Sequence, residues 1–139
     1  MKKIEKTDKK FWDKVKYRVP DLPGEEWRTI KGWELYEISN MGRVKRTLQE
    51  RAYGNGKSKL FGEKLMNPFY TKDGYAQVTL KQFGRRGTLY IHRLVLIAFD
   101  VLPPTSEHTE ANHKNQNTRD NRLVNLEWIT PEDILGFSD

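Results

Sequence analysis

Residues 111–130 read ANHKNQNTRDNRLVNLEWIT, and the interpretation of the whole chain starts from them. Around His113 the segment is dense in amides and acids, namely Asn112, Asn115, Gln116, Asn117, Asp120, Asn121 and Asn125. Burying such groups without partners costs about 1–3 kcal/mol each. The segment is therefore either a solvated loop, since Asn and Asp favour turns, or a polar network arranged around an ion or a substrate. Composition alone leaves both interpretations open.

The residues on either side of this segment predict regular structure. Residues 91–99 are apolar at helical spacing, which predicts a buried helix that Pro103 and Pro104 stop. Residues 105–130 are then a polar loop between two short strands, the second of which ends at Thr130. Thr130 as N-cap and Pro131 at the first position favour the start of a further short helix.

The N-terminal half predicts short strands at residues 27–30, 35–38, 43–46, 75–80 and 88–91. Residues 39–42 predict a turn, residues 49–63 a basic loop, and residues 84–87 a hairpin tip that carries two arginines. Because side chains alternate along a strand, Arg43 and Lys45 are expected on one face. Residues 1–20 favour a short amphipathic helix, with a flexible basic arm as the alternative.

Composition excludes several classes of protein. The chain has no cysteine, so neither a disulfide framework nor a thiolate zinc site is available. No apolar run approaches the roughly 20 residues that span a bilayer, and the charged N-terminus is not a secretory signal. We therefore expect a protein that acts inside the cell, in the cytoplasm of a bacterial or phage-infected host.

The charge distribution favours a polyanionic partner. The net charge is +6, and residues 1–100 hold 22 Lys and Arg against 12 Asp and Glu. Residues 101–139 hold 3 against 7. A basic body joined to a mildly acidic, amide-rich segment suits nucleic acid binding beside a site for a divalent cation, although simple solubility charge is the alternative.

Residues 112–117, 120–122 and 125–130 together resemble the core of HNH endonucleases of the phage and intron-encoded homing type. Residues 91–99 match the helix that precedes this core, and residues 26–30, 36–40 and 42–44 look like the DNA-binding module that accompanies it. The resemblance covers residues 25–134. It implies an α+β fold, with a small antiparallel β-rich N-terminal module followed by a ββα-metal (HNH) nuclease core. The implied parts are an arm at 1–24, the DNA-binding module at 25–87 and the nuclease core at 88–139.

The resemblance also implies roles for individual residues. His113 is the expected general base, since the unperturbed pKa of an imidazole, about 6.5, suits proton abstraction near neutral pH. Asn125 is expected to hold the loop and help orient His113. Asn112 and Asp133 are the expected ligands of one divalent ion, Mg²⁺ or Mn²⁺. In many relatives Asp stands where this chain has Asn112, and the family's last ligand position is Ile134 here, one residue beyond Asp133. His92 and Asn121 are expected to be structural or to support the site.

The implied partner is duplex DNA, with no membrane, no small-molecule cofactor and a monomeric protein. The expected DNA contacts come from basic residues of the predicted strands and hairpin tip: Arg43, Lys45, Arg46, Lys81, Arg85 and Arg86. Two alternatives stay open. One is a DNA-binding protein with a degenerate, inactive HNH core, and the other is a protein-binding module that uses Phe11, Trp12 and the basic face.

Overall fold

The structure, a computed structural model, describes residues 2–4 and 17–134. Most of the segment predicted as a helix or basic arm, including Phe11 and Trp12, lies outside the described residues. The short strand β1 (Lys2–Lys3) and the buried side chains of Ile4 and Val19 are the parts of it that the structure describes. Among the described residues, no helix is long and apolar enough to span a membrane.

The described chain is mostly antiparallel sheet, as predicted for an α+β fold. One sheet has the order β2-β3-β4-β7 and consists of Trp27–Ile30, Trp33–Ser39, Val44–Arg46 and Lys64–Leu65. A second joins β1 to β5 (Gln49–Gly54) and β6 (Lys57–Phe61). A third has the order β10-β9-β8, from Arg85–Tyr90, Ala76–Gln82 and Phe69–Tyr70. A two-stranded ribbon pairs β11 (Glu110–His113) with β12 (Leu126–Ile129).

Helix α1 (Ile91–Ala98) packs against β2, β3, β9, β10, β11 and β12, so one hydrophobic cluster joins these strands. The prediction of this helix over residues 91–99 is confirmed, and its last residue is Ala98. Asp100 adopts a positive φ of 56°, and the Val101 amide donates to the carbonyl of Leu96 at 3.0 Å. This is a Schellman C-cap, which ends the helix before Pro103. Within residues 2–4 and 17–134, the other helical pieces are a 3₁₀ turn at Leu123–Asn125 and α2 (Pro131–Ile134).

The prediction of a loop at residues 49–63 is wrong, because β5 and β6 form a hairpin there. Asn55 and Gly56 occupy its turn with φ angles of 52° and 69°. Two central residues with positive φ make a turn whose twist matches that of the strands it joins. The strands were missed because their exposed faces carry Arg51, Lys57 and Lys59 instead of alternating apolar residues.

The second hairpin turns one or two residues earlier than predicted. Phe83 and Gly84 form its turn with φ angles of 47° and 76°, so Arg85 and Arg86 begin strand β10 and are not at the tip. Gly87 serves packing, since a Cβ atom there would lie 2.7 Å from Cζ2 of Trp33. The two glycines near the turn have different roles: Gly84 supplies the positive φ, and Gly87 leaves room for Trp33.

The predicted turn at residues 39–42 rests against the polar loop that follows β11. The Leu123 amide donates to the carbonyl of Asn40 at 2.8 Å. Gly42 has a φ of 80°, and a Cβ atom there would lie 2.7 Å from Cβ of Asn121 and 2.8 Å from its carbonyl oxygen. This backbone-to-backbone approach fixes the loop against the N-terminal sheet.

We expect Gly42→Ala to destabilise the fold more than Gly32→Ala does. Gly32 has a similar φ of 83° but nothing within 4 Å of its hypothetical Cβ, so its substitution costs only backbone strain of about 1–2 kcal/mol. At Gly42 the collision with Asn121 adds about 1–3 kcal/mol. Urea unfolding followed by tryptophan fluorescence measures both. Equal losses of unfolding free energy in the two variants would mean that the loop around Asn121 moves to accommodate the added methyl group at no energetic cost.

Candidate active site

The loop after β11 is a closed polar network. Asn125 is buried, its Oδ1 accepts from the Asn115 amide at 3.0 Å, and its Nδ2 donates to the Asp120 carbonyl at 2.8 Å. Its own carbonyl accepts from the Lys114 amide at 2.7 Å. The amide-rich segment is therefore a loop tied together by hydrogen bonds with Asn125 at its centre, while Asn115, Gln116 and Asn117 are exposed to solvent.

Asp120 closes the far side of this loop. Its carboxylate accepts from Nε of Arg122 at 2.8 Å and from Nδ2 of Asn115 at 3.0 Å. The hydrogen bonds from Arg122 lower the pKa of Asp120 to about 2. The carboxylate is thus charged throughout the neutral range and keeps the loop braced.

His113 is the last residue of β11, and only 4% of its surface is exposed. Its Nε2 lies 2.8 Å from Oδ1 of Asn121. Because an amide oxygen only accepts, Nε2 carries the hydrogen in this contact, and a neutral ring keeps its lone pair on Nδ1. Asn125 thus holds the loop as expected, while Asn121 is the residue in direct contact with the ring, and the part of Asn125 in orienting His113 stays a prediction.

A second buried histidine stacks on the first. The ring of His92, in the first turn of α1, has its centroid 5.0 Å from that of His113 at an interplanar angle of 21°. Tyr75 stacks on His92 at 5.3 Å and lies 5.9 Å from His113. Burial, with smaller contributions from His113 and Arg93, lowers the pKa of His92 to about 4. His92 is therefore neutral at physiological pH.

An open cavity of about 440 Å³ adjoins these rings. Its lining combines the aromatic cluster with charged residues, namely Asp73, Tyr75, Tyr90, His92, Arg93, Glu110 and Ala111. His92 and Tyr75 therefore border an opening in the surface, and the ring of His113 lies behind them, largely covered.

Asn112 lies directly opposite Glu127 in the β11–β12 ribbon, and its Nδ2 donates to Oε2 of Glu127 at 3.1 Å. Residues paired in this way share one face of the ribbon, so an amide oxygen and a carboxylate stand side by side. Such oxygen donors suit Mg²⁺ or Mn²⁺, which commonly takes one or two carboxylates and completes its shell with water and phosphate oxygens. The donor chemistry therefore fits a hard divalent cation.

Asp133, the other expected ligand, caps the start of α2 through hydrogen bonds with Thr130. Its Oδ2 accepts from the amide of Thr130 at 3.0 Å and from its hydroxyl at 2.9 Å. The Asp133 amide donates back to Oγ1 of Thr130 at 3.3 Å, which makes a reciprocal cap. Within the described residues, no group of three or more His, Asp or Glu side chains is placed to hold a metal ion.

Three of the six basic residues expected on the DNA face are engaged within the protein. Lys45 is 1% exposed, pairs with Glu63 at 2.9 Å, and stands 4.1 Å from the ring centroid of Trp27. Arg43 lies over the same ring and forms an ion pair with Glu25, so these two residues do share a face, but that face is covered. Arg46 is half-buried, and burial lowers its pKa.

The other three are exposed on the β9–β10 hairpin. Lys81 and Arg86 are cross-strand partners, and both point into solvent. Arg85 donates to the Gly32 carbonyl at 2.7 Å and lies over the ring of Trp33 at 4.3 Å. The basic residues expected on the DNA face are thus less exposed than the sequence indicated, while Lys57 and Lys59 of the β5–β6 hairpin are exposed as well.

Tyr75, Glu127 and the proximity of His92 to His113 were missed by sequence reasoning. Glu127 and Asn112 are 15 residues apart in the chain, and only the strand register makes them neighbours. Likewise His92 lies on a separate helix, and nothing in its apolar surroundings signals contact with a loop histidine. The one available signal was that a histidine interrupts an otherwise apolar helical face.

We expect Lys45→Met to lower the free energy of unfolding by about 3–5 kcal/mol, because it leaves Glu63 buried without its cation. The matched control is Lys81→Met on an exposed strand position, which should change stability by no more than about 0.5 kcal/mol. Urea denaturation measures the difference. A Lys45 variant as stable as the control would show that this ammonium is dispensable for folding.

Comparison with known proteins identifies relatives of the chain. Residues 25–81 match the NUMOD4 motif. The chain is 33% identical over 106 residues to the DNA endonuclease I-HmuI of Bacillus phage SP01, covering 76% of this chain and 52% of that protein. It is 28% identical over 109 residues to the H-N-H endonuclease F-TflII of Escherichia phage T5, covering 78% and 50%. The chain thus spans about half the length of these two relatives.

A solved structure gives the same result. The HNH homing endonuclease I-HmuI, whose structure describes DNA binding and cleavage, superposes with a TM-score of 0.54 at 29% identity. The match covers 82% of this chain and 61% of that one. The predicted relationship to HNH homing endonucleases, with an associated motif in the N-terminal half, is confirmed.

Proposed function

We propose that this relative of the HNH homing endonucleases is a metal-dependent endonuclease that hydrolyses phosphodiester bonds in duplex DNA, with His113 as general base. The observation that carries the proposal is the contact of His113 with Asn121 inside a hydrogen-bonded loop. That contact keeps one ring nitrogen protonated and the other as a proton acceptor, which is what activation of a water molecule requires.

The choice of partner for the imidazole matters for this role. Asn121 is neutral, so it selects the tautomer of His113 without adding a negative charge beside it. Asn125 supports the arrangement indirectly, because its hydrogen bonds to Asn115 and Asp120 hold the loop that carries Asn121. The base is in this way preorganised before DNA binds, which avoids reorganisation during the reaction.

Asn112 would hold the divalent ion through its amide oxygen, together with the Glu127 or the Asp133 carboxylate. When bound, such an ion supplies Lewis-acid relief of the charge on the scissile phosphate and on the leaving 3′ oxygen. We favour Glu127 as the anionic ligand because it is adjacent to Asn112, whereas Oδ2 of Asp133 caps α2.

The two carboxylates can be distinguished by Mn²⁺ affinity of the full chain without DNA, measured by electron paramagnetic resonance. Glu127→Gln keeps the shape of the side chain and should weaken binding about tenfold or more, as expected when a ligand to a metal site loses its charge. Asp133→Asn should chiefly remove the cap and lower stability by about 1 kcal/mol. Glu107→Gln, on an exposed loop, is the control. Weakened affinity in the Asp133 variant alone would reverse the assignment.

DNA would be held mainly through the phosphates, by Lys81 and Arg86 on β9–β10 and by Lys57 and Lys59 on the β5–β6 hairpin. These side chains are exposed on strands, which suits salt-sensitive contacts with the backbone. Arg43 and Lys45 are not proposed as contacts, because they are paired with Glu25 and Glu63.

Nicking of supercoiled plasmid in Mg²⁺ or Mn²⁺ tests the proposal. His113→Ala should lower the rate by about a hundredfold or more, which is the usual contribution of general base catalysis. His108→Ala is the matched control, since His108 contacts Thr105 outside the network and should cut normally. Equal cutting by both variants would remove His113 from the reaction.

A DNA-binding protein with an inactive core is the second candidate. It is favoured by Ile134 at the expected position of the last ligand and by the use of Asp133 as a cap. Under this alternative, gel shifts persist and fall with rising salt, while the unmodified chain cuts no DNA in any divalent ion.

A further inference from the structure

We infer that His92 is a positioning residue for His113: by stacking on its imidazole, it fixes the plane in which the base presents its lone pair. This inference rests on the proposed function, since it takes His113 as the base. It adds a role for a residue of α1 that belongs to neither the loop network nor the ribbon.

The loop alone leaves the tilt of the His113 ring undetermined. The hydrogen bond to Asn121 fixes one edge of the His113 ring, at Nε2. A single point of attachment does not set the tilt of a planar group, and so it does not set the direction of the lone pair on Nδ1. The face of His92, 5.0 Å away and inclined by 21°, supplies the second constraint that defines a plane.

The ring of His92 is itself held in place by its neighbours. It projects from the first turn of α1, whose Val95 and Leu96 are fully buried in the core. Tyr75 stacks on His92 at 5.3 Å, and Tyr90 meets its edge at 5.6 Å and 89°. Helix α1, the last residue of β10 and the residue before β9 therefore hold the ring that stacks on His113.

The side chain of His92 either only fills space in the core or positions His113. His92 is 6% exposed, and its Nδ1 has no hydrogen-bond partner in the described part of the chain. An aliphatic side chain would fill the same space without placing a polar nitrogen among apolar neighbours. A flat face against His113 is what a ring supplies here and an aliphatic side chain does not. The ring is also neutral, so it does not repel a proton arriving on His113.

The test compares His92→Phe, which keeps a flat ring, with His92→Leu, which removes it. Single-turnover nicking should fall about tenfold to a hundredfold in the Leu variant, consistent with a small misplacement of a catalytic group. The Phe variant should recover most of the rate. Affinity for DNA, measured without divalent ion, should match that of the unmodified chain in both variants.

A second readout does not depend on activity. The chain has three histidines, so the Hε1 resonance of His113 can be identified with His108→Ala and His113→Ala. Stacked rings shift that resonance, and the shift should be lost in His92→Leu and kept in His92→Phe. If His92→Leu does not fold, Tyr75→Leu removes a ring that contacts both histidines and should change the resonance in the same direction.

The outcomes separate the two proposals. Equal rates and an unchanged His113 resonance in the Leu variant would overturn the stacking role, as would loss of activity in Leu and Phe variants alike. If the unmodified chain does not cut DNA, the proposed function fails, and the resonance alone then decides whether His92 holds the ring of His113.

Discussion

The burial of helix α1 is the constraint on which the rest of the structure depends. Its apolar residues contact strands from the N-terminal sheets and from the β11–β12 ribbon, so sheets that share few direct contacts are joined through one element. Burial of its fully covered side chains contributes about 1.5–3 kcal/mol each. Because α1 cannot shift without opening this core, His92 on its first turn is a fixed point beside His113.

A buried ion pair makes a second connection. Lys45 and Glu63 join β4 to the segment before β7, and Glu63 also accepts from the Val19 amide at 3.0 Å. Such a pair adds little net stability compared with apolar residues, but losing one partner is expensive because the other charge stays buried. The same pairing removes Lys45 from the surface, so the basic composition of the chain overstates the charge available to a polyanion.

Much of the fold could be predicted from the periodicity of apolar residues in the sequence. Where the structure differs from that prediction, the difference has a physical cause. Helix α1 and strand β9 were predictable because their buried faces are apolar at the right spacing. The burial of Lys45 could not be predicted, because its partner Glu63 is 18 residues away in the chain and is brought near by β7. In the site, the network around Asn125 was anticipated, whereas the contact of Asn121 with His113 depends on how the loop closes.

The close approach of Gly42 to Asn121 affects how such proteins can be recombined. There is no room for a side chain between Gly42 and Asn121. The half of the chain that matches NUMOD4 and the loop that contacts His113 are therefore complementary in backbone shape at this point. A chimera that grafts a foreign N-terminal half onto this core must reproduce the turn at residues 39–42, including its glycine. Exchange of N-terminal halves at this boundary is therefore limited by backbone shape.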